Sequence, residues 1–241
     1  MHTDNPAGRL LHILQEGKTK QSSQACKDVW AQLLDVKPDN LALLMSRLGK
    51  VMELPEQIIN QIKIHYPNQN NTHKHWSAKV NTAFAQQNLN GKWNEFIHHI
   101  DSHTIDYLSM SVDLLDVKEK TKILSDKELS EIHKKISDLV TEILKMELDE
   151  NFKKYLLKFL RKVLTAIEEY KISGASPILE AMESTLGHAF IDENYRNNLS
   201  GTSVGSKIIT ALSAIASIVT IAVGLPQLSD TISLLLENQA K

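Results

Sequence analysis

The sequence has few of the residues that mark many small-protein classes. It contains one cysteine, Cys26, which excludes both a disulfide framework and a four-ligand zinc site built on thiolates. Aromatic residues make up only 5% of the 241 residues, and no stretch alternates apolar and polar residues long enough to predict a strand. The 27 basic and 29 acidic side chains nearly cancel. These absences, together with abundant Leu, Ile, Lys and Glu, predict an all-α protein.

Motifs of common enzyme classes are also missing. The sequence has no Gly-x-Ser-x-Gly elbow, and Cys26 has no recognisable partner for nucleophilic catalysis. The run 201–205 precedes a helical pattern but lacks the Gly-Lys-Ser/Thr end of a P-loop. Arg196 is not followed by a histidine at the spacing of helical ribonucleases. We therefore expect a protein that is not an enzyme and that needs no cofactor or metal.

Ten histidines are present, and several of them cluster in the first half of the chain. His99 and His103 are four residues apart, a spacing that could present two imidazoles to a metal from one helix. However, no carboxylate lies at a ligand spacing beside them, and Asp101 with Ser102 indicates a helix boundary. We expect surface histidines near helix ends, with a metal site or a pH switch as alternatives.

The most informative segment is an uncharged run between Lys207 and Asp230. A helix over residues 207–226 is roughly 30 Å long, which matches the hydrocarbon thickness of a bilayer. Its small or polar positions recur every three or four residues and so share one side of that helix: Thr210, Ser213, Ser217, Thr220, Gly224 and Gln227.

This stripe on an apolar cylinder has three explanations. It can line the aqueous axis of an oligomeric pore, or form a dry packing seam between lipid-embedded helices. It can also belong to the central helix of a soluble bundle, with hydroxyls bonded to i−4 carbonyls. We favour the pore. Because Arg196 and Lys207 precede the span and no signal peptide is predicted over residues 1–15, we expect the protein in the inner (cytoplasmic) membrane, with most of the chain cytoplasmic.

The helical pattern predicts a multi-helix cytoplasmic bundle followed by one C-terminal transmembrane helix and a short terminal amphipathic helix. Residues 1–195 form the regulatory and oligomerisation domain, with a candidate sub-boundary at the loop 65–75. A hinge over 196–206, the transmembrane helix 207–226 and a terminal helix 227–241 follow. Within the domain, Pro55 is expected in the first turn of a helix, and Ser125 with Glu128 forms a capping box that begins another.

A basic stretch lies on one predicted helix of this domain: Lys153, Lys154, Lys158, Arg161 and Lys162. Helical spacing places most of these cations on one face, opposite an apolar one. The simpler interpretation is a solvated face whose aliphatic stems cover apolar surface. The functional interpretation is a site for an anionic ligand, either a lipid headgroup or a nucleotide or oligonucleotide.

Two neighbouring segments carry a resemblance to a known class of protein. The run Leu164–Gly174, which contains Tyr170, is followed by the run Leu179–Gly187. This helix–glycine–helix pattern resembles one found near a C-terminal hydrophobic helix in small helical membrane effectors of bacterial abortive-infection and antiphage systems. The resemblance implies a cytoplasmic regulatory domain that controls a toxic, membrane-disrupting segment.

The uncharged span and the resemblance together predict a homo-oligomeric membrane effector. Its C-terminal helix would form or gate an ion-conducting pore in antiphage defence. The expected partners are other copies of the chain, the lipid bilayer, and a nucleotide or oligonucleotide regulator or a cognate regulatory protein. The main alternative is a soluble helical adaptor or immunity protein whose apolar helix is buried in a bundle or partner. A metal-dependent enzyme using the histidines of residues 65–103 is a third hypothesis.

Overall fold

A computed structural model describes residues 4–118 and 121–222 of the chain. Within these ranges the protein is helical and has no strand, apart from an isolated antiparallel bridge between Ala25 and Lys92. The all-α prediction is confirmed. The chain divides into two compact units, residues 1–120 and 121–241. The loop predicted at 65–75 therefore lies inside the first unit, and the division falls about 50 residues later.

The first unit contains six helices within its described residues: α1 (Pro6–Thr19), α2 (Cys26–Leu33), α3 (Leu41–His65), α4 (Lys74–Gln86), α5 (Asn94–Ile97) and α6 (Ser102–Lys118). Helix α6 packs against α1, α3 and α4. The core is aromatic: the Trp30 ring lies 5.2 Å from the Trp93 ring and 4.9 Å from the Phe96 ring between centroids, in edge-to-face geometry. The Trp93 indole N–H donates to the Gly17 carbonyl at 2.8 Å, which ties α1 to the start of α5.

Helix α3 is longer than the sequence indicates, because Pro55 lies in its interior instead of beginning a new helix. A proline inside a helix removes one backbone hydrogen bond and costs about 3 kcal/mol. The helix continues because its buried face runs on both sides of the proline, through Val51, Leu54, Ile58 and Ile62. Burial of each such side chain contributes about 1.5–3 kcal/mol, so packing outweighs the local preference.

The second unit also contains six helices within its described residues: α7 (Asp126–Lys145), α8 (Glu150–Glu168), α9 (Tyr170–Ser173), α10 (Ser176–Ile191), α11 (Glu193–Gly201) and α12 (Ser203–Ala222). Helix α8 packs between α7 and α10, and α12 packs against α7, α10 and α11. The capping box that begins α7 is confirmed: Glu128 N donates to the Ser125 hydroxyl, and Ser125 N donates to the Glu128 carboxylate.

The segment predicted as a hinge, 196–206, is mostly helical. Its first part ends α11 and its last part begins α12, so that only Thr202 lies between the two helices. The Thr202 hydroxyl accepts a hydrogen bond from Gly205 N at 3.0 Å and thereby caps α12. A sharp corner is possible here because Gly205 has no side chain: a Cβ at this position would lie 1.9 Å from the Leu199 carbonyl oxygen.

Candidate functional site

Helix α12 contains the described part of the uncharged run, and one of its faces packs within the second unit. Ile208, Leu212, Ile215 and Val219 are each at most 1% exposed. They share one face, and the helix packs on α7, α10 and α11. The segment Ser203–Thr220 is long and apolar enough to cross a membrane, yet 44% of its residues are buried within the protein itself. The predicted terminal helix, 227–241, lies outside the described residues.

The hydroxyl stripe of α12 lies partly on the outer side of this helix. Thr210 is exposed and donates to the Ser206 carbonyl, while Ser213 and Ser217 are half-buried. Ser217 donates to the Ser213 carbonyl at 3.1 Å, and the fully buried Thr220 donates to the Ala216 carbonyl at 2.7 Å. These hydroxyl protons therefore satisfy i−4 carbonyls within the helix. Gly224 and Gln227, the remaining predicted members of the stripe, lie outside the described residues.

Both ends of α12 are held by the rest of the second unit. Near its start, the Lys207 ammonium forms an ion pair with the Glu142 carboxylate of α7. At its end, Lys122 N donates to the Ala222 carbonyl at 3.0 Å. The second contact satisfies one of the four terminal carbonyls that a helix cannot bond internally.

The predicted basic site separates into four exposed cations and one structural lysine. Lys153 donates to the carbonyls of Leu144 and Met146 at 2.9 and 2.8 Å, so it caps the end of α7. The other four form an exposed surface on α8, which we call the basic face: Lys154, Lys158, Arg161 and Lys162. The Lys162 ammonium lies 5.7 Å from the centre of the Phe159 ring. The other three make no ion pair with any residue in the described ranges.

The histidine cluster of the first unit does not gather metal ligands. His103 lies in the first turn of α6 and His99 lies before it; their rings are not neighbours on one helix. His75 Nε2 lies 3.2 Å from the Asp101 carboxylate, which also accepts from Thr104 N and hydroxyl. Desolvation raises the pKa of Asp101, but these hydrogen bonds outweigh it and hold the pKa well below its usual range. The described residues contain no group of three or more His, Cys, Asp or Glu side chains suited to a metal.

The single thiol, that of Cys26, lies in the packed interior of the first unit and not in an accessible site. Cys26 is fully buried beside Gln87, whose amide oxygen also accepts the Trp30 indole N–H. Desolvation and the charge of Glu95 raise the pKa of Cys26 to about 11. The reactive thiolate is therefore scarce at neutral pH.

Sequence reasoning missed a groove at one end of the second unit, where the start of α8, the end of α10 and the start of α11 meet. We call it the end groove. It has a volume of about 720 Å³ and is lined by Tyr155, His188, Ile191, Asp192, Glu193, Asn194 and Asn197. Its residues come from segments more than 30 positions apart in the sequence, so no short-range sequence pattern predicts it. The only sequence signal is the adjacent acidic pair Asp192 and Glu193, which follows α10.

An aromatic cluster supports the floor of the end groove. The His188 ring lies 4.3 Å from the Tyr155 ring, 4.9 Å from the Tyr195 ring and 5.4 Å from the Phe159 ring between centroids. The Tyr195 hydroxyl is buried and has no hydrogen-bond partner among the described residues, and desolvation raises its pKa. Asp192 caps α11 through Oδ1, which accepts from Tyr195 N at 2.9 Å, while its Oδ2 lies 3.6 Å from His188 Nε2.

Comparison with known proteins identifies no relative: no protein-family model, curated protein or solved structure matches this chain.

Proposed function

We propose that this protein is a soluble helical adaptor or immunity protein, and not an enzyme, in which α12 serves as a core helix. The observation that carries the proposal is the burial of the large aliphatic side chains of α12 against α7, α10 and α11. In this function the second unit is a binding module, and its exposed surfaces, including the basic face of α8, meet partner molecules.

The energetics of burial support this choice. The four least exposed large aliphatic side chains of α12, Ile208, Leu212, Ile215 and Val219, contribute about 1.5–3 kcal/mol each, so together they contribute on the order of 10 kcal/mol. That sum is comparable to the whole stability of a typical domain, about 5–15 kcal/mol. If α12 moved into a bilayer, its own side chains would stay in an apolar environment. The faces of α7, α10 and α11 that pack on it would then meet water, and that exposure opposes the move.

A matched pair of substitutions tests the proposal. Leu212 is buried, whereas Ala214, two residues on, is exposed near the middle of the same helix. In an adaptor, Leu212→Asp places a charge in the core and unfolds the second unit, while Ala214→Asp costs less than about 1 kcal/mol. In a membrane span, either aspartate opposes insertion by about 2.5–3.5 kcal/mol.

Cell fractionation and circular dichroism of the full chain distinguish these outcomes. We expect the unmodified protein and Ala214→Asp in the soluble fraction with the same helicity, and Leu212→Asp misfolded. A membrane-bound protein that both substitutions release from the membrane would contradict the adaptor function.

A second candidate is the homo-oligomeric membrane effector of antiphage defence. It is favoured by the length and apolar composition of Ser203–Thr220 and by the outward position of Thr210, which with Ser213 and Ser217 would line the pore axis. In this function α12 leaves the second unit, inserts into the inner membrane and dissipates ion gradients. The double substitution Ser213→Leu/Ser217→Leu should then abolish depolarisation, measured with a potential-sensitive dye, without abolishing membrane insertion. Depolarisation that persists in this variant would contradict a hydroxyl-lined pore.

A further inference from the structure

The end groove has the properties of a preformed binding site on the second unit. Three helix ends converge there, and they are tied together: Asn194 Nδ2 donates to the Asp149 carboxylate at 3.3 Å, and that same oxygen caps α8 by accepting from Phe152 N. The Asp192 N–H donates to the His188 carbonyl, which fixes the corner between α10 and α11. These hydrogen bonds fix the positions of the three helix ends that carry the lining side chains of the groove.

The floor of the end groove is an aromatic surface. Tyr155 and His188 line it with their rings 4.3 Å apart, and Phe159 and Tyr195 support the His188 ring. The His188 side chain is only 18% exposed, and its Nε2 has no hydrogen-bond partner within the described residues. A planar, polarisable ligand group can stack on such a floor.

The charge of the end groove is negative. Asp192 and Glu193 both line it, and Asp149 and Glu150 lie at the same end of the unit. Asp192 Oδ2 lies 3.6 Å from His188 Nε2, which is too long for a hydrogen bond. Glu193 lies 3.9 Å from Arg196 in a solvent-exposed ion pair, which is weak and can be replaced by another cation. The carboxylates therefore exclude a phosphate and favour a cation.

One lining residue of the end groove, Ile191, is a large apolar side chain. Ile191 is 86% exposed, more than any other large hydrophobic side chain in the described residues, and Phe190, which precedes it in the chain, is 69% exposed. Large apolar side chains that project beside an acidic groove are typical of protein interaction sites, where an apolar contact surrounds a charged anchor.

We propose that the end groove binds an arginine side chain of a partner protein, presented in a segment with apolar neighbours. The planar guanidinium stacks on the Tyr155 and His188 floor and donates hydrogen bonds to the carboxylates of Asp192 and Glu193, while the exposed side chain of Ile191 contacts an apolar flanking residue. A lysine ammonium fits less well, because it is compact, strongly hydrated and unable to stack as a plane. This inference rests on the proposed adaptor function and specifies the chemistry of its partner.

The experiment uses the full-length protein and three blocked tripeptides that differ only in the central residue. Leucine–arginine–leucine is the probe, its citrulline analogue keeps the planar shape without the charge, and its lysine analogue keeps the charge without the plane. Binding is followed by NMR through the ring signals of Tyr155 and His188. We expect the arginine peptide to bind at least about tenfold more tightly than the citrulline peptide, because charge-assisted hydrogen bonds are lost in the analogue.

Three substitutions in the groove and one control substitution outside it assign the binding to the end groove. Asp192→Asn keeps the helix cap, since asparagine caps as well as aspartate, but removes the charge. Together with Glu193→Gln it should abolish the preference for arginine over citrulline, and Tyr155→Leu should weaken binding of both peptides. Glu180→Gln, an exposed acid elsewhere on α10, is the matched control and should change nothing.

Equal affinity for the arginine and citrulline peptides, or an effect of Glu180→Gln as large as that of Asp192→Asn, overturns the proposal. So does self-association, seen by sedimentation, that both Asp192→Asn and Arg161→Gln abolish, because the occupant would then be a second copy of this chain. These failures leave the location of the protein in the cell unchanged. They are therefore distinguishable from failure of the adaptor function, which fractionation reports.

Discussion

Helices α8 and α12 of the second unit have the same kind of buried face and very different outer faces. Leu156, Leu160 and Val163 of α8 are fully buried, as are Leu212 and Val219 of α12. The outer face of α8 carries four cations, whereas the outer face of α12 carries small side chains, among them Thr210, Ala211, Ser213 and Ala214. The two helices therefore differ mainly where they meet solvent.

This difference explains why α12 resembles a membrane span in the sequence. Hydropathy averages all positions of a helix, and small uncharged residues on the outer face lower that average far less than the charged residues of α8 do. A soluble protein tolerates such a face, because more than half of a typical folded surface is apolar. The high average of α12 therefore combines an apolar inner face, like that of α8, with an outer face that carries little charge.

The comparison of α8 with α12 is tested with the largest expected effect by truncating one buried leucine in each helix. We expect Leu212→Ala in α12 and Leu156→Ala in α8 each to lower the free energy of unfolding by about 2–5 kcal/mol, because each leaves a cavity in a packed interior. An exposed leucine, Leu144→Ala, should cost much less.

Circular dichroism and tryptophan fluorescence during urea unfolding measure this prediction. All three tryptophans lie in the first unit, so fluorescence reports that unit while circular dichroism reports both. A Leu212→Ala protein whose circular dichroism transition matches that of the unmodified protein would show that α12 contributes nothing to the second unit.

A glycine substitution at the corner between α11 and α12 should have the next largest effect. Gly205→Ala brings a methyl group within 1.9 Å of the Leu199 carbonyl oxygen, so the two helices must separate. We expect a loss of about 1–3 kcal/mol, as for overpacking elsewhere. Gly187→Ala in α10 is the matched control: apart from the adjacent backbone of α10, no atom of the described residues lies within 4 Å of where its Cβ would be, and the better helix former should stabilise by up to about 1 kcal/mol. Thermal unfolding measures the Tm of both variants. Equal shifts in Tm would contradict a close approach of Gly205 to the Leu199 carbonyl.

The fold could be predicted where the signal is local. The Ser125 capping box begins α7 as expected, because its hydrogen bonds join residues three apart. Pro55 misled the prediction, because tertiary packing on both sides of it maintains α3. The helices within the predicted hinge, 196–206, were missed for a related reason: Gly201 and Gly205 indicate a linker in the sequence, but Gly205 allows a close approach to Leu199 that only the folded structure shows.

The candidate site could be predicted only in part. Helical spacing placed the exposed cations of α8 correctly on one face, but it could not separate Lys153, whose ammonium reaches back to the carbonyls that end α7. The end groove was inaccessible to sequence reasoning, because Tyr155 and Asp192 meet only after α8 and α10 pack. Whether α12 is core or span depends on its neighbours and so could not be decided from its own residues.

A smaller effect should separate the structural lysine from the basic face. Lys153→Met removes a charged donor from two helix-terminal carbonyls and should cost about 1 kcal/mol of unfolding free energy. Lys158→Met removes an exposed cation that has no ion-pair partner in the described part of the chain, and it should change stability by less than about 0.5 kcal/mol. Lys158→Met should weaken binding to anionic vesicles or oligonucleotides more than Lys153→Met does. Equal stability losses in the two variants would contradict the assignment of Lys153 as a cap.

The smallest expected effect comes from exchanging the outer faces themselves. Ala214→Lys gives α12 an exposed cation like those of α8, and Lys158→Ala gives α8 an uncharged position like those of α12. If the outer faces only meet solvent, each substitution changes the free energy of unfolding by less than about 0.5 kcal/mol, and the double variant equals their sum. Urea unfolding of the full chain measures all three. A loss of several kcal/mol from Ala214→Lys alone would show that the outer face of α12 is covered in the native protein, and would restore the membrane or a second copy of the chain as its neighbour.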